Sequence, residues 1–462
     1  MKLNTWLING SILTLGIMLT ACVDMPGSKS DQAKVLALPK RYDATQPPVP
    51  EVTSGLLKVF PDTQLRKYVD IALNKNPDLR ASAARLEEAG FNTRRAYSAT
   101  LPSLTANGSG SRSRIAGSPN SIVSPINNIF STSLDVAWEV DVWGRIRAGV
   151  TASASDEAAA AADYAAARQS IAAQTMQAYF TLIAEGKLLA LSNRRLSSFQ
   201  KTHDLVNRRF EAGVDSLGDV DLARTDVERT KAEVQQRKDT RDQAARQLRV
   251  ITGRYPDANA RAYAWPSLRR SVPAGVPSTV MMNRPDIDAA YQRIRAADAG
   301  VKVAHRDLYP RFNLTGSGGR QSSVFEDLLE SDFRTWSLAA GITAPILDGG
   351  NRRAELGAAN ARAKEALANY ESVVLSAMQE VENALGSEYY LKQQEISYKE
   401  ALKAAKSAEE SVLRSYEQGT VEILSLLESQ RRAFDTEEQL INVRAQRYQN
   451  RVSLALALGK GL

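Results

Sequence analysis

The chain of 462 residues is poor in the residues that most catalytic chemistry needs. It has one cysteine, Cys22, and two histidines, His203 and His305. One cysteine closes no intrachain disulfide and builds no cysteine zinc site. Two histidines so far apart in sequence nearly exclude a histidine metal cluster, and a Cys–His nucleophile with it. No Gly-x-Ser-x-Gly elbow with a partnered histidine occurs, so a serine hydrolase would lack its nucleophile turn. Aromatic residues make up 6 %, which is low for one packed globule and favours a helix-rich, alanine-rich chain. Neither sign of charge is missing: 59 basic residues face 52 acidic ones, interleaved as in Arg237-Lys238-Asp239. The excess of +7 therefore reads as solvated helix faces and implies no nucleic-acid partner. The 17 prolines are absent between Pro125 and Pro256 and after Pro345. Proline costs about 3 kcal/mol inside a helix, so these two blocks are where long helices can form.

Long apolar runs are also scarce. The one that occurs, Leu7 to Leu19 behind Lys2, is too short to cross a bilayer and reads as a secretory signal over residues 1–21. The sequence Leu19-Thr20-Ala21-Cys22 resembles the bacterial lipobox. That resemblance implies cleavage before Cys22, an S-linked diacylglycerol on its sulfur and an N-acyl chain on its new amine. No other cofactor is expected. Aspartate directly after the cysteine is the inner-membrane retention signal by family convention. Val23 stands there, which implies the outer membrane. Pro39, Pro47, Pro48 and Pro50 mark an extended, lipid-anchored arm over 22–61.

Beyond the arm the chain repeats itself. Asn76-Pro77-Asp78 recurs as Arg284-Pro285-Asp286, and Leu101-Pro102 as Tyr309-Pro310, both shifted by 208 (310 − 102). Arg208-x-Phe210-x-x-Gly213 recurs as Arg414-x-Tyr416-x-x-Gly419, shifted by 206 (419 − 213). Repeat 1 spans 62–255 and repeat 2 spans 285–462, with a proline-rich linker at 256–284. Each copy predicts a helix starting at its proline, a β-hairpin (103–143 and 311–346), a very long helix (145–212 and 350–418) and a return helix (217–252 and 421–458). At about 1.5 Å per residue each long helix reaches roughly 100 Å. Gly213 and Gly419 are placed to cap their ends in a left-handed conformation.

Residues 133 to 142 alternate strictly. Leu134, Val136, Trp138, Val140 and Val142 fall on one face, and Ser133, Asp135, Ala137, Glu139 and Asp141 on the other. In the second copy Trp336, Leu338, Ala340 and Ile342 keep that parity, because the shift of 206 is even. The strand length of about ten residues suits a tilted bilayer crossing. Four strands cannot close a barrel, and open edges are forbidden in hydrocarbon. Either the hairpins join a soluble sheet or several chains pool their strands. Trp143, just past the strand, is placed for a membrane-interface aromatic or for a core tryptophan.

Together, Arg284-Pro285-Asp286-Ile287 with Ala289-Ala290, Pro310, Asp348-Gly349-Gly350, Arg414-x-Tyr416-x-x-Gly419, Glu422-Ile423-Leu424 and Glu428-Ser429-Gln430-Arg431 resemble the TolC-type outer-membrane efflux proteins, in their lipoprotein branch. The resemblance covers nearly the whole chain from Cys22. It implies a mainly α fold with transmembrane β: two tandem structural repeats, long periplasmic helices forming an α-barrel, and four strands per chain contributing to a trimeric outer-membrane β-barrel. It implies a homotrimer that meets outer-membrane lipid, a periplasmic adaptor protein and an inner-membrane pump, proton-driven as in that branch. The function implied is a passive exit duct, not an enzyme.

The same resemblance assigns residues. Gly213, Val214, Gly419 and Thr420 fall at the periplasmic tips that contact the adaptor. Leu424, Glu428 and Arg431 fall where the family narrows its channel with an apolar ring and an acidic ring tied by arginine. Glu428 and Arg431 lie three apart and share a helix face, so an ordinary surface ion pair within the helix is the other reading. The first copy has Gly218, Leu222 and Thr225 there, so the two halves are expected to contribute unequally to closure. From strand parity, Asp135, Glu139 and Asp141 face the barrel lumen and bias it towards cations. A coiled-coil adaptor or structural lipoprotein without a channel is the alternative. It differs in the apolar stripe from Leu134 to Val142, which a soluble edge strand should avoid.

Overall fold

The computed structural model describes residues 27–33, 60–114, 126–262, 264–268 and 283–459. The elements are α1 (Lys29–Ala33), α2 (Thr63–Lys75), α3 (Pro77–Ser98), β1 (Ser103–Arg114), β2 (Ile126–Val140), α4 (Arg145–Glu211), α5 (Leu217–Ile251), α6 (Pro285–Arg306), β3 (Arg311–Ser322), β4 (Arg334–Thr343), α7 (Asn351–Glu417) and α8 (Ile423–Ala457), with two short 3₁₀ turns between β3 and β4. The second copy retraces the first: α4 begins at 145 and α7 at 351, a shift of 206 (351 − 145). β2 and β3 are longer than the alternation alone suggests, reaching back to Ile126 and on to Ser322. Ladder hydrogen bonds extend a strand past the point where its side chains stop alternating.

Side chains set the helix starts. Asp62 accepts from the amides of Gln64 and Leu65 at 2.8 and 3.1 Å and caps α2. Asn76 accepts from Leu79 N at 3.0 Å ahead of Pro77, which needs no amide partner at the first turn of α3. Asp141 accepts from Ile146 N and Arg147 N at 3.0 and 2.8 Å at the head of α4. Asp348 takes Gly350 N and Arg352 N at 3.0 and 3.2 Å at the head of α7. An acid at a helix N-terminus satisfies amides that have no partner within the helix and complements the helix dipole.

The contacts divide the chain into two compact units, and each draws on both repeats. The repeat is thus a unit of sequence, not of packing. The first unit holds Ala89–Glu157, Tyr291–Asn369 and the N-terminal segment. Its sheet is antiparallel in chain order, β1-β2-β3-β4. Register puts residues of one parity in shared rows: Leu104 opposite Val136, Val136 opposite Gly316, Gly316 opposite Leu338. Even-numbered residues of all four strands therefore share one face and odd-numbered residues the other. Beside the sheet, Val301 and Ala304 of α6 pack on Leu356, Ala359 and Ala363 of α7. The start of α1 is pinned to α6 by Asp298, which accepts from Lys29 N, Ser30 N and Ser28 Oγ at 2.9, 2.8 and 2.7 Å. Burial works against ionisation of this carboxylate, but those donors outweigh it and hold its pKa below the ordinary value.

The second unit holds Ala37–Glu88, Ala158–Ala290 and Tyr370–Leu462. Here several of the scarce aromatics pack against one another. Phe60 meets Phe180 edge-on at 4.8 Å, Trp265 stacks on Tyr448 at 4.6 Å, and Tyr448 Oη donates to Pro266 O. Alanines and aliphatics of α2, α4, α5 and α8 complete this core. Between α7 and α8 runs a charged ladder. Glu395 takes Arg444 and Arg447 at 3.0 and 2.8 Å, and Glu388 takes Arg447 and Arg451 at 3.0 and 2.8 Å. Glu395 is buried, which alone would disfavour its charge. Lys399, Arg447 and Arg444 reverse that and bring its pKa to about 2.

Candidate functional site

Three sets of residues singled out by the sequence lie among the described residues, and Cys22 lies outside them. The first set belongs to the sheet. On the odd face Asp135 accepts from Asn107 Nδ2 at 2.5 Å and from Ser133 Oγ at 2.8 Å. Its neighbours on that face are small or polar, including Ser317 directly across on β3. Glu139 takes a two-pronged hydrogen bond from Arg145 at 2.8 and 2.9 Å. Asp141 stands beyond the last residue of β2 and caps α4, with Arg147 Nε also on its carboxylate at 3.3 Å. Of the three acids, then, only Asp135 sits mid-strand without a cationic partner, and the other two are tied to the helix after the strand. Trp143 is 37 % exposed, stacks on Tyr309 at 5.2 Å and donates from Nε1 to Pro310 O at 2.8 Å. It is a partly open aromatic pair at the strand–helix junction, not a core residue.

The second set forms the two helix-to-helix turns of the second unit. Gly213 and Gly419 have φ of 75° and 74°, so a residue with a β-carbon would be strained there. Val214 N reaches back to Arg209 O at 2.9 Å and Thr420 N to Ser415 O at 3.0 Å, closing α4 and α7. Val214 is 62 % exposed and leads the first turn. The two turns are tied by Asp215, a residue that no motif in the sequence marks. Asp215 accepts from Tyr416 Oη and, at 3.0 Å, from Arg209 Nε, while the Arg209 guanidinium lies 4.7 Å from the Tyr416 ring centre. Burial and then the bond to Asp215 push the Tyr416 pKa up, so the phenol keeps its proton. The two turns open onto differently capped helices. Ser216 and Asp219 form a capping box on α5, whereas Glu422 makes no side-chain cap on α8.

The third set is at the head of α8. Leu424 is 57 % exposed. Glu428 and Arg431 do not pair with each other within the chain, which corrects the surface pair between these two residues. Glu428 takes Arg432 four residues on at 2.9 Å, out on the exposed face. Arg431 turns across to α5 and binds Asp226 at 3.2 and 2.6 Å. Asp226 is 1 % exposed and also takes Arg229 at 3.0 Å. Both spacings keep two side chains on one helix face, so the choice lies with the partner: Arg431 reaches the buried Asp226 of α5, whose charge needs a cation more than that of the exposed Glu428. Beside this pair Gln430 donates to Thr202 Oγ1 at 2.9 Å within a buried contact to α4. Asp226 was legible in principle, since a carboxylate falls on the buried stripe Val220, Ala223, Val227, Thr230 of α5. Among the described residues no cluster of His, Cys, Asp and Glu could hold a metal ion, and no helix is long and apolar enough to cross a membrane.

The family described as Outer membrane efflux protein matches residues 68–254 and 276–460, one match for each copy of the repeat. The chain belongs to that family. It is an outer-membrane efflux channel of the TolC type. It is 31 % identical over 408 residues to the outer membrane protein OprJ of Pseudomonas aeruginosa, covering 87 % of this chain and 85 % of that protein. It is 28 % identical over 462 residues to the toluene efflux pump outer membrane protein TtgC of Pseudomonas putida, covering 98 % and 96 %. The solved outer-membrane channel OprN superposes with a TM-score of 0.85 at 28 % identity, covering 91 % of this chain and 96 % of that one. The efflux channel thus carries its four strands and its paired long helices as members of this family do, in the outer membrane with a large periplasmic portion.

Proposed function

We propose that this efflux channel works as a lipid-anchored homotrimer that passively conducts small molecules handed on by an inner-membrane pump through a periplasmic adaptor, and catalyses no reaction. The observation that carries the reading is the sheet: four strands with one apolar and one polar face, and β1 and β4 left as open edges. Hydrocarbon tolerates no unpaired edge, so the strands must be pooled, and three chains would supply twelve (3 × 4). The even face would meet lipid and the odd face, with Asp135, the lumen. Glu139 and Asp141 would border that lumen where the strands run into α4.

The turns at Gly213, Val214, Gly419 and Thr420 would be the adaptor-contact tips. Leu424, Glu428 and Arg431 would line the narrow periplasmic end, with Arg431 held against Asp226 in the resting state. The uncapped start of α8 gives that helix the weaker of the two tips, by about 1 kcal/mol. An adaptor that binds the splayed form better than the resting form would open the channel by population shift. Cys22 would carry the S-diacylglycerol and N-acyl lipid, and a proton-driven pump would be the partner.

The test is the mass of the purified full-length protein in mild detergent by light scattering, with Cys22 and with Cys22→Ala. A trimer in both forms is the expected result. A monomer that is soluble without lipid on Cys22 would overturn the reading in favour of a coiled-coil lipoprotein without a channel.

A further inference from the structure

The even face of the sheet changes character along its length. From the helix end upward its rows are Val140, Phe312 and Ile342, then Trp138, Leu314 and Ala340, then Leu104, Val136 and Leu338, then Ala106, Leu134 and Trp336. The next row is Gly108, Thr132, Arg320 and Arg334. Beyond it on the same face stand Arg112, opposite Asn128, and Arg114, opposite Ile126. At about 3.4 Å per residue and a tilt of about 40°, the eight residues from Val140 to Thr132 rise roughly 20 Å, close to the height of a barrel's apolar band. The arginines begin where that band ends.

They are an unneutralised set. Arg320 and Arg334 are direct cross-strand partners, an arrangement of like charges that is destabilising unless an anion lies between them. Arg320 donates to Leu328 O at 2.9 Å, and among the described residues none of the four makes an ion pair with a carboxylate. No acid stands on the even face of any strand at this end; Glu326, Asp327, Glu330 and Asp332 all belong to the connection between β3 and β4. The connection over 115–125 has no acidic residue. This end is the one away from the helices, and so faces the outside of the cell.

We propose that Arg112, Arg114, Arg320 and Arg334 form a docking surface for the phosphate groups of the phosphorylated glycolipid in the outer leaflet. This rests on reading the even face as lipid-facing. The occupant follows from chemistry. A planar guanidinium presents two donors to one phosphate and is readily desolvated, which suits a boundary between hydrocarbon and headgroup. The acyl chains of the same molecule would lie on Trp336, Leu134 and Leu338 directly below. An acidic protein surface would match the charge but not the apolar band that continues beneath it.

The experiment uses the full-length protein in neutral detergent. It is titrated with a hexa-acylated diglucosamine glycolipid carrying two phosphates, with the same glycolipid stripped of phosphate, and with inorganic phosphate, read by native mass spectrometry. Expected is preference for the phosphorylated glycolipid over both others. Affinity should fall about tenfold or more in the variant Arg112→Gln, Arg114→Gln, Arg320→Gln, Arg334→Gln, and be partly kept by the matching lysine variant. Equal binding by wild type and the glutamine variant, or equal binding of the stripped glycolipid, overturns the proposal. Saturable inorganic phosphate binding with no glycolipid preference overturns it too. Planar-bilayer conductance of the same samples reports folding. If the fourfold variant does not conduct, Arg334→Gln and Arg112→Gln alone take its place. A changed ion selectivity with unchanged glycolipid binding would put the arginines in the lumen and sink the proposal, whereas a wild type that never conducts would instead count against the channel reading.

Discussion

Arg431 of α8 and Asp226 of α5 are joined by two hydrogen bonds, 3.2 and 2.6 Å, the arginine half-buried and the carboxylate 1 % exposed. The two residues come from different copies of the repeat. Removing Arg431 strands a buried carboxylate with Arg229 alone, at a cost of about 1–3 kcal/mol. Among the described residues Glu428 is tied to the exposed Arg432 alone, an arrangement worth about 0.3–0.5 kcal/mol. Arg431→Ala should therefore raise resting single-channel conductance and lower thermal stability, while Glu428→Ala changes stability little. Bilayer recording and thermal melts on both variants check this. A larger effect from Glu428 would show that the Asp226 contact does not hold the closed state.

Asp135 sits mid-strand on the polar face, held by Asn107 and Ser133 and paired with no cation. Asp135→Lys should shift reversal potentials in a salt gradient towards anion preference. Glu139→Gln should do less, because Arg145 already neutralises Glu139. Identical reversal potentials for wild type and Asp135→Lys would place Asp135 away from the conducting path.

Glu395 titrates near 2 in the folded protein, against an ordinary value of 4.5. Its pKa is lower folded than unfolded, so its stabilisation is complete above pH 4.5 and fades as pH falls towards 2. The depression corresponds to roughly 3 kcal/mol. Melting temperature should drop across that window, and Glu395→Gln should flatten the drop while melting lower at pH 7. Equal slopes in both proteins would assign the acid sensitivity to other carboxylates.

Two glycines with similar backbone angles should respond differently to alanine. At Gly213, φ is 75° and a β-carbon would meet nothing within 4 Å, so the cost is the left-handed backbone alone, about 1 kcal/mol. At Gly253, φ is 65° and the β-carbon would lie 2.3 Å from Lys75 O. Gly253→Ala must displace the end of α2 and should melt well below Gly213→Ala in parallel thermal scans.

Much of the fold is legible in the sequence because it is periodic. The alternation from Ser133 to Asp141 sets the faces of β2, and an even repeat shift carries them into β4. Glycine and proline spacing places the turns and the heads of α3 and α6. The partner of each charged side chain is not legible in the same way. Shifting Arg431 back by 206 lands on Thr225, one residue short of Asp226. Which residue of α5 faces Arg431 is set by how the two helices pack, and the sequence marks Asp226 only as a carboxylate on a buried stripe. Asp141 escapes its parity for a related reason. Its position continues the alternation of the strand, but the strand ends at Val140 and the carboxylate serves the amides of α4 instead. Trp143 fits two environments in the sequence because its pairing with Tyr309 joins positions 166 apart (309 − 143).

The open edges of β1 and β4 have a genetic consequence. In the proposed homotrimer the sheet closes only against copies of itself, so a lone chain would not enter the membrane first and find partners later, since each edge would face lipid with its backbone unpaired. Insertion and assembly of that trimer would then be one event. A chain with a proline in the outer edge of β4 would still offer a sound β1, join its neighbours and leave the ring unsealed. When both alleles are expressed, such a lesion should act dominantly, spoiling most of the channels that contain it, whereas a deletion of the whole gene should be recessive.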